Sequence, residues 1–98
     1  MFDYNSKKWR RKAEHIKRKH QYLCAESLRY GKRVEAEMVH HIYPTDEYPE
    51  YAYEDWNLIP LTNAMHNKMH IRDSQELSPL GKSWQNRTPL TCRKKSNL

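Results

Sequence analysis

The chain has 98 residues, 37% of them hydrophobic, and a mean hydropathy of -1.17, which fits one domain with a modest core. No apolar stretch approaches the ~20 residues that span a bilayer, and Met1 opens no signal-peptide pattern, so membrane insertion and export are not expected and a cytoplasmic protein is. The net charge of +6 is uneven: Lys7, Lys8, Arg10, Arg11, Lys12, Lys17, Arg18 and Lys19 crowd one end, Arg93, Lys94 and Lys95 mark the other, and Asp46, Glu47, Glu50, Glu54 and Asp55 lie between. Such a basic cluster attracts phosphate backbones, and it equally suits a solvated helix face. Cys24 and Cys92 are expected to remain thiols in a reducing compartment.

Ser6 predicts an N-cap for a helix over about 6–20, with Trp9, Ala13 and Ile16 on its apolar stripe and basic residues on its other faces. His15 and His20 on this helix read as surface residues or phosphate contacts. Residues 21–31 read as an irregular segment with Gly31 at a turn. Partial alternation of Val34, Ala36 and Met38 predicts a strand over 34–42 that carries His40 and His41 at its end and stops before Pro44. A loop over 43–55 and a second strand over 56–61 follow. Thr62 then predicts an N-cap for a helix to about Arg72, with Met65 and Met69 turned to the core. Ser78-Pro79 suggests a turn, Trp84 packs back on the body, and the last residues fray.

The histidines carry the chemistry. His66 and His70, four apart on a helix, lie about 5–6 Å apart at Cβ and can reach one ion. His40 and His41 are neighbours on an extended segment, so their side chains point to opposite sides: one can join the metal while the other faces a substrate. Either pair taken alone suits a strand end or a helix surface, and Asn57 alone is an ordinary turn residue before an apolar run. Taken together in order, they point to a metal-assisted hydrolase.

The runs Val39-His40-His41-Ile42, Asn57-Leu58-Ile59-Pro60-Leu61 and His66-Asn67-Lys68-Met69-His70 resemble the HNH endonuclease family, whose ββα-metal motif is two strands and a helix gripping one divalent ion. The lead-in Gly31–Met38 and the Trp9-Arg10 helix also look like small phage-type members, so the resemblance covers about residues 6–72. It implies an α+β fold in a single domain over 1–98: a core motif at about 34–72, the basic N-terminal helix, and a short C-terminal extension with a flexible tail at about 85–98. By the same resemblance His40, His66 and His70 are metal ligands, His41 is the general base, and Asn57 orients the His41 ring through a hydrogen bond. A histidine suits the base because its ordinary pKa near 6.5 leaves much of it neutral at physiological pH.

The implied activity is hydrolysis of phosphodiesters in DNA, nicking or cutting duplexes with weak sequence preference, since phosphate contacts from Lys7, Lys8, Arg10, Arg11, Arg18 and Arg72 carry little base information. The implied cofactor is one divalent ion among magnesium, manganese, zinc, nickel and cobalt, with imidazoles disfavouring magnesium. DNA is the expected partner, with phage packaging proteins beside it, in a monomer or weak dimer and in host cytoplasm if phage-encoded. A nucleic-acid-binding module with a structural or inactive metal site is the alternative. Many phage-type relatives hold a structural zinc with two Cys-x-x-Cys pairs; here those places read Cys24, Ser27, Thr62 and Met65, so no zinc knuckle is expected. Packing around Tyr22, Leu23, Leu28 and Met65 is expected to replace it.

Overall fold

The computed structural model describes residues 2–71 and 76–88. Ser6 caps the first helix, α1 (Lys7–Lys19), by accepting the Trp9 N–H at 3.1 Å, and Trp9 and Ile16 are its buried residues, as the apolar stripe predicts. The segment after it is not wholly irregular. Ala25–Arg29 forms a short helix, α2, built from residues of good helix propensity and a Glu26–Arg29 pair at 2.8 Å. Five residues are too few for a periodic signal. Gly31 makes the expected turn at φ +74°.

The two strands are shorter than the sequence suggests. β1 (Met38–His41) pairs antiparallel with β2 (Leu58–Leu61), with Val39 opposite Pro60 and His41 opposite Leu58. Val34 is exposed, and the residues before Met38 join neighbouring chain through an isolated Leu23–Glu35 bridge and single backbone bonds rather than as a continued strand. These bonds run from Cys24 N–H to the Val34 carbonyl at 2.8 Å, from Ala36 N–H to that of Tyr22 at 2.7 Å and from Glu37 N–H to that of Leu61 at 2.9 Å. Pro60 is tolerated because a two-stranded ribbon leaves each strand an edge. Trp56 and Asn57 belong to a single tight turn of 3-10 helix rather than to the strand.

Thr62 caps α3 (Asn63–Lys68), which ends before Arg72; His70 lies beyond it, bridged to Leu77. Ser78-Pro79 starts a helix, α4 (Pro79–Asn86), with Ser78 accepting the Gly81 N–H and proline at the first position, where its missing donor costs nothing. α4 therefore occupies part of the expected flexible tail, and 89–98 lie outside the described residues.

The ribbon separates two apolar layers. Trp9 and Ile16 of α1 pack on Val39 and Leu58. On the other face Cys24, Ile42, Tyr43, Ile59, Leu61 and Met69 form the larger core, covered by Met65, Leu80 and Trp84. The buried Glu26 carboxylate ties α4 to α2 by accepting from the Trp84 indole at 3.0 Å as well as from Arg29. Cys24 is a buried free thiol; burial raises its pKa, but hydrogen bonds from the Ser27 side chain and from the backbone of Ser27, Thr62 and Glu26 outweigh that and lower it. Met65 packs in this layer as expected, whereas Tyr22 and Leu28 are exposed and take no part in it.

Candidate active site

Strand alternation decides where the paired histidines go. His40 shares the face of Met38, Ile59 and Leu61 and meets α3, while His41 shares the face of Val39 and Leu58 and meets α1. Both faces open into one cleft of about 1570 Å³, lined by His40, His41, His66 and His70 together with Trp9 and Arg10.

On the first face three imidazoles converge. Ring centroids lie 5.3 Å apart for His40–His66, 5.5 Å for His40–His70 and 5.1 Å for His66–His70. One nitrogen from each lies within 4.8 Å of the other two. Nitrogens each ~2.1 Å from a shared ion are at most ~4.2 Å apart, so small side-chain rotations close the set. His40 is 3% exposed, and its Nε2 is a buried polar atom with no hydrogen-bond partner among the described residues. Burial, then the neighbouring His66, His70 and His41, hold its pKa well below the ordinary histidine value. Burial, then His70, lowers that of His66. Neutral imidazoles with an unsatisfied buried nitrogen are a donor set for a divalent cation of the nitrogen-preferring kind. α3 stops short of His70, yet the bridge to Leu77 and the bond from Ile71 N–H to the Glu76 carbonyl keep that ring in the cluster.

On the second face His41 is 5% exposed. Its ring stacks on Trp9 at 4.8 Å and 22°, and its Nε2 lies 3.0 Å from the Ala52 carbonyl. A carbonyl only accepts, so Nε2 carries the proton and Nδ1 the lone pair. Burial lowers the pKa of this imidazole, although the Ala52 bond works in the opposite direction. The product is a neutral base with one nitrogen committed.

Asn57 does not hold that ring directly, contrary to the sequence expectation. Its fully buried amide accepts the Tyr43 N–H at 2.7 Å and donates to the carbonyls of Tyr43 at 3.1 Å and Tyr51 at 3.0 Å. It pins both ends of the 43–57 loop, and the next residue after Tyr51 is Ala52, which holds His41.

The basic residues of α1 divide by role. Lys12 and Lys19 pair with Asp55, the latter at 3.3 Å, and His15 lies 3.5 Å from the same carboxylate. Lys8 sits 4.2 Å from the Tyr53 ring centroid, and Arg18 interacts with Tyr22. Lys7, Lys8, Arg10, Arg11 and Arg18 are exposed, but Arg10 alone of these lines the cleft, joined there by Lys17, seven residues on. Lys17 is a cleft residue that helical spacing from Arg10 could have indicated; Trp9 read only as core and Ala52 left no signal at all. Arg72 lies outside the described residues.

No protein-family model matches the sequence, and no curated protein does. Among solved structures the chain is similar to the crystal structure of the HNH endonuclease of the deep-sea thermophilic bacteriophage GVE2 with manganese ion. The identity is 33% with a TM-score of 0.62, over 65% of this chain and 70% of that one.

Proposed function

The chain belongs to the HNH endonuclease family, and from that premise we propose that it is a metal-dependent DNA endonuclease that nicks or cuts duplex DNA with weak sequence preference. The observation that carries the proposal is the convergence of His40, His66 and His70 within 4.8 Å beside a neutral, oriented His41 in one cleft. A divalent ion held by these three side chains would act as a Lewis acid, drawing in the scissile phosphate and offsetting charge on the departing 3′ oxygen. His41 takes a proton from the attacking water at Nδ1, because Nε2 is occupied by Ala52. Trp9 fixes the plane of the ring, and Asn57 fixes the loop that fixes Nε2. Lys7, Lys8, Arg10, Arg11 and Arg18 supply phosphate contacts that carry little base information. Partners from a phage DNA-packaging machine fit this activity, and gene neighbourhood checks them.

Incubation with supercoiled plasmid across a panel of divalent ions, with a chelator control, tests the proposal. Metal-requiring nicked or linear product is expected, and His41→Ala should lower the rate by roughly 10²–10⁴-fold while metal binding is kept. DNA binding with no cleavage under any ion would instead favour a binding module with an inactive metal site.

A further inference from the structure

Beside His41 stands an aromatic ring that the mechanism does not use. Tyr4 is 52% exposed and packs against neighbouring rings. It meets Phe2 edge-on at 4.7 Å, Trp9 at 5.6 Å and His41 at 6.0 Å. Burial holds the pKa of its hydroxyl above the ordinary tyrosine value, and Thr45 and Asp46 of the loop beyond β1 act on the same group. A large ring half in water, packed against three other rings beside His41, is a stacking partner for a flat ligand.

The charges of the cleft are equally lopsided. Its basic lining, among the described residues, is Arg10 and Lys17, both on α1. Seven residues of helix separate them by ~10.5 Å, about three 3.4 Å steps of one nucleic-acid strand. Glu14 lies between them, hydrogen-bonded by Tyr22 at 2.6 Å and 3.9 Å from Lys17. The other segments contribute carboxylates instead: Glu37, Asp46, Glu47 and Glu76. A duplex presents two phosphate backbones, one charge per ~1.7 Å of axis, whereas the two cations of the cleft lie on a single helix. One strand can keep to the α1 wall.

We infer that the cleft engages DNA as a locally unpaired strand, with a base stacked on Tyr4 next to His41 and flanking phosphates on Arg10 and Lys17. The inference rests on the nuclease reading and narrows its substrate from intact duplex to DNA opened at the cut site. Stacking platforms combined with a basic track are how proteins hold single strands without reading their sequence.

The test is binding measured by fluorescence anisotropy with chelator present, so that nothing is cut, on one labelled oligonucleotide alone and annealed to its complement. Wild-type protein should bind the strand about tenfold more tightly than the duplex. Tyr4→Ala and Tyr4→Leu should each weaken strand binding by roughly 5- to 100-fold and leave duplex binding within about twofold. Tyr4→Phe, which keeps the ring and loses only the hydroxyl, should bind the strand like wild type. If the alanine variant does not fold, the leucine and phenylalanine variants decide. Equal affinity for strand and duplex, or wild-type strand affinity in Tyr4→Leu, overturns the inference. Failure to cut any DNA when metal is added counts against the nuclease reading alone, because strand preference is read without turnover.

Discussion

His41 Nε2 and the Ala52 carbonyl oxygen are 3.0 Å apart, and this one contact chooses which nitrogen of the imidazole is left to accept a proton. Ala52 offers its backbone, so the contact depends on the path of the 43–57 loop, and that path depends on Asn57. Asn57→Asp keeps the shape and one acceptor but loses both donors, setting a carboxylate against the carbonyls of Tyr43 and Tyr51. We expect a stability loss of roughly 2–4 kcal/mol by denaturant unfolding, together with loss of cleavage. Wild-type cleavage by a folded Asn57→Asp protein would mean that the loop does not govern His41.

His40→Leu separates the cost of the metal set from its benefit. The unpartnered Nε2 of His40 is a burden of about 1–3 kcal/mol in the metal-free protein, so the variant should melt at or above the wild-type temperature in chelator. Adding manganese or zinc at about 100 times its dissociation constant should raise the wild-type melting temperature by roughly 10 °C or more and leave the variant unmoved. Differential scanning fluorimetry reads both values. An equal metal-induced shift in both proteins would remove His40 from the ligand set.

Asp55 makes stability depend on acid. Hydrogen bonding to Lys12, then to Lys19, and their charges hold its pKa down to about 2 from the ordinary 3.8. A depressed carboxylate pKa stabilises the fold above its unfolded value, and that stabilisation is lost as pH falls from about 4 through about 2. The side chain is 36% exposed, so solvent screens the pairs and the contribution is under about 1 kcal/mol. Asp55→Asn should therefore be slightly less stable than wild type at neutral pH, with the two proteins converging as pH approaches 2. A gap that persists unchanged at low pH would assign the effect to packing.

Gly81 stands where no side chain fits. A Cβ there would lie 2.3 Å from the Met69 carbonyl oxygen and 2.9 Å from Leu77 Cδ2. α4 approaches the residue preceding His70 this closely because Ser78 N–H donates to the same carbonyl at 2.8 Å. Gly81→Ala should destabilise by about 1–3 kcal/mol and weaken metal binding by shifting His70, whereas Lys82→Ala, one position along on an exposed face, should do neither. Calorimetric titration with manganese distinguishes a shifted ligand from simple loss of fold.

Much of the site was legible from residue order. Residue type and spacing marked His40, His66 and His70 as a candidate metal set, which the fold brings together, and strand alternation sends His41 to the opposite face whatever else the chain does. Ser6, Thr62 and the Trp9–Ala13–Ile16 stripe marked helices for the same reason: caps and periodicity are local terms, complete within a few residues. α2 was too short to show a period, and the Ser78-Pro79 start of α4 read as a turn although proline just inside a capped helix carries the same letters. What only the tertiary structure decided are pairings across long stretches of chain. Ala52 sets the His41 tautomer through a backbone atom with no side-chain signature. Asp55 claims Lys12 and Lys19 from across the fold, leaving Arg10 and Lys17 to the cleft, and Gly81 lets α4 brace His70. Each depends on where the folded backbone brings distant residues, and composition and spacing hold no record of that.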